Sequence, residues 1–323
     1  MRVLITGIDG FVGSHAAEFL SSLGGVEIHG LVFPGSDGKN IASLRSHIAL
    51  HAGDVSDVST LRALFLAIKP ERVIHLAGQA FVPTSFRDPI ATYRINIMGG
   101  LSVLEAARGL SEETGNAPDI ILVSTGEVYG PASLPLVAED APLEPQNPYA
   151  ASKASIDLIG QDYGRSFGLS VKIVRPFNHA GPRQNPVFVC SDFGRQFAMI
   201  EAGKKKAVID AGNIDVFRDF TDVRDVVRAY WAILERRPAH SVFNVCSSRA
   251  VSIGDIIHEF EVAAGFRVEI RRDELRRRKT DVARRIGNNA RLRSETGWEP
   301  GIPLRQTISD VFNWWRNELS ASP

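Results

Sequence analysis

A doubly wound parallel α/β sheet is the fold class this sequence predicts, and three observations predict it. Short apolar runs alternate with amphipathic stretches from Val3 to Arg175. The runs are apolar throughout rather than at every second position, as in strands covered on both faces. The first run, Val3–Thr6, feeds a glycine-rich turn that opens an amphipathic stretch, which is the start of a strand–turn–helix unit.

The elements follow in order. Phe11 to Leu23 keeps a helical period and stops at Gly24-Gly25. Val26 to Val32 and Ile48 to His51 read as the second and third strands. Ser59 to Lys69 is helical, and Pro70 ends it. Arg72 to Leu76 is a fourth strand, Ile90 to Arg108 a long helix, and Asp119 to Ser124 a fifth strand. Tyr149 to Phe167 is helical and Ser170 to Arg175 a sixth strand. After Pro176 the rhythm breaks, and residues 177–220 read as turns and short elements. Val223 to Arg236 is a helix and Ser241 to Val245 a further strand. Ser252–Ala264 is a helix, Phe266–Ile270 a strand and Leu304–Leu319 a last helix. The second half thus reads as a smaller C-terminal α/β lobe with one excursion back to the sheet.

The chain has 323 residues, 44% hydrophobic and 23% charged, enough for a large core and two structural units. Lys plus Arg and Asp plus Glu are both 37, which argues against a nucleic-acid partner, since that needs a basic surface. The arginine-rich run Arg271 to Arg285 reads as a solvated basic face. No apolar run is long enough to span a bilayer, so no membrane partner is expected and the cytoplasm is the expected compartment. Cys190 and Cys246 lie outside any C-x-x-C pattern and read as small apolar side chains; no metal is expected.

Gly7-Ile-Asp-Gly10-Phe-Val-Gly13 supplies the chemistry of the first turn. Glycine lets the backbone approach a pyrophosphate, and the following helix offers it free N–H groups and a positive dipole end. In this strand–turn–helix context the motif predicts a Rossmann-type dinucleotide site with Gly7, Gly10, Phe11, Val12 and Gly13 against the cofactor. The end of the second strand, Leu31 to Gly35, carries neither the acidic residue expected for NAD(H) nor the arginine expected for NADP(H). Either cofactor therefore remains open. Asp54, with Val55, is placed to accept from the adenine amino group, or is simply a turn aspartate. Leu76, Ala77 and Gly78 line the cofactor beyond the fourth strand. Residues 1–177, with a return at 221–245, make the dinucleotide-binding domain, and residues 178–323 the second lobe.

Tyr149-Ala-Ala-Ser-Lys153 places a phenol and an ammonium on one helix face. Reducing a ketone needs hydride at carbon and a proton at oxygen. A phenol with its ordinary pKa near 10 is a poor acid/base, and a neighbouring ammonium favours the phenolate. Ser124-Thr125 lies at the carboxyl end of the fifth strand, where ligands of open parallel sheets bind. Together these residues resemble the full signature of the extended short-chain dehydrogenase/reductases, a family that includes sugar-nucleotide epimerases, 4,6-dehydratases and 4-keto reductases. The resemblance spans essentially the whole chain. It implies Tyr149 as acid/base, Lys153 as its partner and ribose ligand, and Thr125 as the hydroxyl that binds the substrate carbonyl.

Ser124-Thr-Gly-Glu-Val-Tyr-Gly130 narrows the activity. Dehydratases of this family carry a second polar group before the glutamate, where this chain has Gly126 before Glu127. Losing water needs a base and an acid, so the pattern argues against dehydration. His179 is present without the cysteine that accompanies it in the epimerase-reductases. Arg175-Pro-Phe-Asn178-His-Ala-Gly181-Pro and Gly212 to Phe220 are similar to the GDP-sugar branch. His75 to Gln79, Phe86 to Pro89 and Asn244 to Ser247 are most similar to the reductases of GDP-4-keto-6-deoxymannose. The resemblance implies a GDP-sugar held by Thr125, Gly126, Glu127, Asn178, Val189, Arg218, Arg278 and Asp281, and a homodimer through the helices near 90–108 and 149–167. Arg218 could instead pair with Asp219 or Asp222. Other readings that stay open are a dehydratase, a reductase giving the talose isomer, and a non-catalytic sugar-nucleotide-binding protein.

Overall fold

The structure, a computed structural model, describes residues 1–131, 135–273 and 282–321. The amino-terminal strands are β1 (Arg2–Thr6), β2 (Glu27–Val32), β3 (Ile48–Ala52), β4 (Arg72–His75), β5 (Asp119–Val123) and β6 (Val171–Pro176). The helices between them are α1 (Phe11–Leu23), α2 (Val58–Ile68), α3 (Val82–Arg87), α4 (Pro89–Tyr93), α5 (Gly99–Thr114) and α6 (Pro148–Phe167). Then come β7 (Asn178–Ala180), α7 (Val189–Glu201), β8 (Val208–Ala211), β9 (Phe217–Arg218), β10 (Phe220–Asp222) and α8 (Val223–Arg236). The chain closes with β11 (Val242–Val245), β12 (Val251–Ser252), α9 (Ile253–Ala264), β13 (Glu269–Arg272), β14 (Arg284–Arg285), α10 (Ala290–Thr296) and α11 (Leu304–Ala321).

The central sheet has seven strands in the order β11-β6-β5-β4-β1-β2-β3, and every pairing in it is parallel. This is the Rossmann-type doubly wound order with one strand added at the β6 edge. The order reverses between β1 and β4, so their carboxyl ends open a crevice. Helices α1 and α8 cover one face through Ala16, Leu20, Val226 and Tyr230, and α2, α5 and α6 cover the other through Phe65, Val103, Leu104 and Ile156. A third core joins α7, α9 and α11 around Phe197 and Phe260, whose rings stack at 5.4 Å. Burying such a ring is worth about 1.5–3 kcal/mol.

Three elements depart from the sequence-based expectation. The long helix expected over 90–108 is α4, a π-helical turn at Arg94–Met98, and α5. Helix α7 stands where only turns and short elements were expected, and its buried Cys190, Phe193 and Phe197 form one face. The strand expected over 266–270 lies at Glu269–Arg272, an exposed edge paired with β8. The arginine-rich run is split. Arg271 and Arg272 pair with Asp210 and Asp215 at the surface, whereas Arg285 is buried.

Candidate active site

The turn after β1 is tight enough to require its glycines. Gly7 has φ of +68°, and a Cβ there would lie 2.9 Å from the Ala77 backbone. A Cβ on Gly13 would meet the Gly7 carbonyl oxygen at 2.2 Å. Gly10 is the N-cap of α1, and no side chain caps it, so this helix end is open to an anion. Phe11 stacks flat on His179 at 5.9 Å, and Val12 packs on the core below. Thr6 fixes the opposite lip: Leu76 and Ala77 donate their N–H groups to its Oγ1, each at 3.2 Å. The Thr6 hydroxyl lies 2.8 Å from His75 Nδ1. Burial, with the nearby Lys153 charge, pulls the His75 pKa down to about 3, so the ring is neutral. At β3, Asp54 Oδ1 accepts from Ser56 N and Oγ at 2.9 and 2.8 Å, a turn arrangement, while Val55 packs under Gly99. The loop after β2 is tied to the glycine turn, because Ser36 donates to Asp9 and Asn40 Nδ2 donates to the Asp9 carbonyl at 3.0 Å. Arg45 reaches the same loop, donating to the Asp37 carbonyl at 3.2 Å.

Thr125, Tyr149 and Lys153 meet at the carboxyl end of β5. Asn147 caps α6 by accepting from Ala150 N at 2.8 Å, and Pro148 starts the helix, which fixes where Tyr149 stands. Thr125 Oγ1 accepts from Glu127 N at 3.2 Å and is hydrogen-bonded to the Tyr149 hydroxyl. Lys153, one turn on, donates through Nζ to the Val123 carbonyl at 2.8 Å. Burial is the largest influence on the Tyr149 hydroxyl. With the Glu127 charge it pushes the pKa above the ordinary phenol value, against the opposing Thr125 hydrogen bond. The lowering by lysine that the spacing predicts is not found: Lys153 is not among the influences on this hydroxyl. Lys153 itself is lowered to about 8 by burial.

Behind this group lies a residue the sequence reading missed. Asn96 sits in the π-helical turn, a local form often found at functional sites. It donates to Ser152 Oγ at 2.8 Å and to the Gln79 carbonyl at 3.0 Å, and accepts from Gln79 N at 2.8 Å. Ser152 in turn donates to the Tyr149 carbonyl at 2.7 Å. Asn96 thereby ties the lip at Gly78 to the first turn of α6. A Cβ on Gly78 would fall 3.0 Å from Asn96 Oδ1 and 3.6 Å from Lys153 Nζ. The sequence signal was a lone asparagine between Ile95 and Ile97.

The third wall carries charge. A Cβ on Gly126 would lie 2.9 Å from the Phe177 ring, which stacks on Tyr129 at 6.2 Å. Glu127 accepts from Asn147 Nδ2 at 3.1 Å, and Arg285 Nη1 stands 3.6 Å from its Oε1. Arg218 lies directly opposite Arg285 in the β9–β14 register and donates through Nη1 to the Phe217 and Val282 carbonyls at 2.8 and 2.7 Å. The carboxylates considered for Arg218 are engaged elsewhere. Asp219 accepts from Ser247, Ser248 and Gly287, and Asp222 accepts from Arg224 and Thr307. Asn178 opens β7 beside β10 and Val189 opens α7, both half-buried. His179 is neutral by burial, with Nδ1 on the Phe177 carbonyl at 3.0 Å. Arg278 and Asp281 lie outside the described residues.

Comparison with known proteins agrees with this architecture. Residues 4–311 match the family model for GDP-mannose 4,6 dehydratase. The chain is 35% identical to the GDP-6-deoxy-D-mannose reductase of Pseudomonas aeruginosa, covering 98% of each protein. It is 30% identical to GDP-mannose 4,6 dehydratase 1 of Arabidopsis thaliana, over 94% of this chain and 87% of that one. Among solved structures, RMD from Pseudomonas aeruginosa complexed with NADPH superposes with a TM-score of 0.82 at 33% identity, covering 98% of this chain and 99% of that one. The Thermus thermophilus UDP-glucose 4-epimerase complex with NAD gives 0.85 at 28% identity, covering 98% and 99%.

Proposed function

The chain belongs to the GDP-mannose 4,6-dehydratase family, and from that footing we propose that it reduces the C4 ketone of GDP-4-dehydro-6-deoxy-D-mannose with NAD(P)H to give GDP-D-rhamnose. The observation that carries this reading is its similarity along almost its full length to a GDP-6-deoxy-D-mannose reductase. The glycine cradle that a Cβ would fill and the uncapped α1 terminus fit a dinucleotide pyrophosphate. When bound, the reduced nicotinamide supplies hydride to C4.

The chain's own residues do the rest. Tyr149 gives its hydroxyl proton to the C4 oxygen, and its raised pKa keeps it protonated until then, as a reduction requires. Thr125 hydrogen-bonds the same oxygen. Lys153 orients the nicotinamide ribose and stabilises the phenolate left on Tyr149. Leu76, Ala77 and Gly78 line the nicotinamide half, Asp54 and Val55 the adenine. Arg218 binds the diphosphate as a guanidinium that stays charged at every working pH. Asn178, Val189, Arg278 and Asp281 complete the GDP side.

The dehydratase reading is favoured by one feature, the retained Glu127. Gly126 counts against it. Nothing at 126 can protonate a leaving hydroxyl, and a side chain there would need the Phe177 ring to move. Among the described residues no helix is long and apolar enough to cross a membrane, and a cytoplasmic location fits. A homodimer through the α4–α5 and α6 helices fits the apolar side chains exposed there, Ile90 at 80% and Leu158 at 57%. Incubation with the GDP-4-keto-6-deoxy sugar and each reduced cofactor, with the product identified by NMR, tests the reading. GDP-D-rhamnose is expected; the talose epimer would reverse the assigned hydride face.

A further inference from the structure

Asp9 stands in the glycine turn, between Gly7 and Gly10, but its side chain does not cap α1. Its place is fixed against β2 instead. Gly7 N donates to the Leu31 carbonyl at 2.8 Å, and a Cβ on Gly30 would lie 2.4 Å from Ile8 Cγ2, so the turn runs across the end of β2. The loop that leaves β2 then comes back to meet it. That loop keeps its shape through its own bonds: Ser36 N donates to the Phe33 carbonyl at 3.1 Å, Lys39 N to Asp37 Oδ1 at 3.0 Å and Ile41 N to the Gly38 carbonyl at 3.1 Å. From it the exposed Ser36 hydroxyl donates to Asp9 Oδ2, and Asn40 Nδ2 holds the Asp9 carbonyl. The Asp9 carboxylate is half-buried, and among the described residues no cation pairs with it.

In a doubly wound sheet the adenosine ribose lies at the end of the second strand. A carboxylate there accepts from the 2′-hydroxyl, and an arginine there holds a 2′-phosphate. Leu31 to Gly35 carry neither. The acid that is absent from the strand is present on the turn that crosses its end. We propose that Asp9, positioned by Ser36, reads the 2′ position of the adenosine ribose, accepting a hydrogen bond from a free 2′-hydroxyl and repelling a 2′-phosphate. The inference deepens the dinucleotide reading of the glycine turn and does not depend on which sugar is reduced. A hydroxyl that donates to a carboxylate makes a charge-assisted bond. An ionised phosphate has no proton to give and brings like charge to the same oxygens. Arg45 opposes this at Gly38, where a Cβ would lie 3.0 Å from its Nη2, since a guanidinium draws a phosphate. Asp9 and Arg45 thus pull the cofactor choice in opposite directions.

The test is fluorescence titration of NADH and of NADPH in the absence of sugar, which reads binding and needs no turnover. Asp9→Asn keeps an acceptor for Ser36 and removes the charge. It is expected to tighten NADPH relative to NADH at least tenfold. Asp9 also lies beside the α1 N-terminus, so losing its charge favours the pyrophosphate of both cofactors alike, and the ratio of the two Kd values cancels that contribution. Ser36→Ala leaves the glycine turn as it is and should move the ratio in the same direction by a smaller factor. A change below tenfold in folded Asp9→Asn, or one that favours NADH, would overturn the proposal, as would an unchanged ratio in Ser36→Ala. Failure of the wild-type protein to bind either cofactor would instead overturn the dinucleotide reading, and this inference with it.

Discussion

The side of the cleft proposed for the cofactor is made of backbone, whereas the side proposed for the sugar is made of side chains. Gly7, Gly10 and Gly13 lie within one turn, and their work is to leave room: a Cβ on Gly7 or Gly13 would strike a backbone atom, and one on Gly10 would crowd the Gly7 carbonyl oxygen at 3.1 Å. Across the cleft, Glu127, Asn147, Tyr149, Arg218 and Arg285 come from four separate stretches of chain and act through charge and hydrogen bonds. The first kind of site tolerates no added atoms but is indifferent to the chemistry of its neighbours. The second depends on the charges and hydrogen bonds of its side chains. A fold with a constant cofactor and variable substrates is expected to divide its labour this way.

Substitutions on the two sides sharpen that contrast. Tyr149→Phe should have the largest effect, lowering kcat by roughly two to four orders of magnitude. Cofactor Kd, read by fluorescence titration, should stay within a few-fold of wild type. Gly13→Val should do the reverse, weakening cofactor binding by about a hundredfold or more, because the Cβ would stand 2.2 Å from a backbone oxygen that has no room to move. A merely modest loss there would break the backbone side of the comparison.

Arg175 offers a control between the two sides. It is fully engaged, binding Asp157 through two bonds of 2.7 and 3.0 Å, Tyr129 Oη at 2.8 Å and the Glu139 carbonyl at 2.9 Å. Arg175→Met should cost about 3–5 kcal/mol of stability in denaturant melts, because Asp157 is left buried and unpaired.

The smallest effects concern pH and cofactor choice. Lys153 loses its proton as pH rises through about 8 in the cofactor-free protein, so cofactor affinity should weaken above that pH. Lys153→Met should bind more weakly and lose this dependence. His75 adds a stability effect of opposite direction. Its folded-state pKa, about 3, lies below the ordinary 6.5, so the unfolded chain binds the extra proton first. Stability from the neutral ring is complete above pH 6.5 and declines as pH falls toward 3, and thermal melts of His75→Gln should show a flatter acid limb. With no clamp at Leu31 to Gly35, discrimination between NADPH and NADH should stay below about a thousandfold, some 4 kcal/mol. Arg45→Ala should erode whatever NADPH preference exists.

The same division explains what could be read in the sequence. Gly7 to Gly13 and Tyr149 to Lys153 are contiguous motifs, and the apolar runs of β1 to β6 announce the sheet. Each depends on local chain geometry alone. The approach of Arg285 to Glu127 could not be read, because β9 and β14 are two residues each and carry no periodicity. Arg285 was hidden at the end of a run whose Arg271, Arg272 and Arg284 are exposed. Asn96 was concealed for another reason: a π turn shifts the helical register by one residue, and a period of 3.6 drawn straight through 90–108 cannot register it. Helix α7 was legible in principle through Cys190, Phe193 and Phe197, but the preceding Gly181, Pro182 and Pro186 drew the reading toward turns.

The central claim is that the cleft reduces a 4-ketosugar and does not remove water, and one pair of incubations tests it most directly. The purified protein is given GDP-mannose with NAD(P)+, or the GDP-4-keto-6-deoxy sugar with NAD(P)H, and absorbance at the reduced nicotinamide band is followed beside product NMR. The account predicts no 4-keto product in the first incubation and one NAD(P)H oxidised per sugar reduced in the second. Accumulation of the 4-keto-6-deoxy sugar from GDP-mannose, with Gly126 in place, would contradict it.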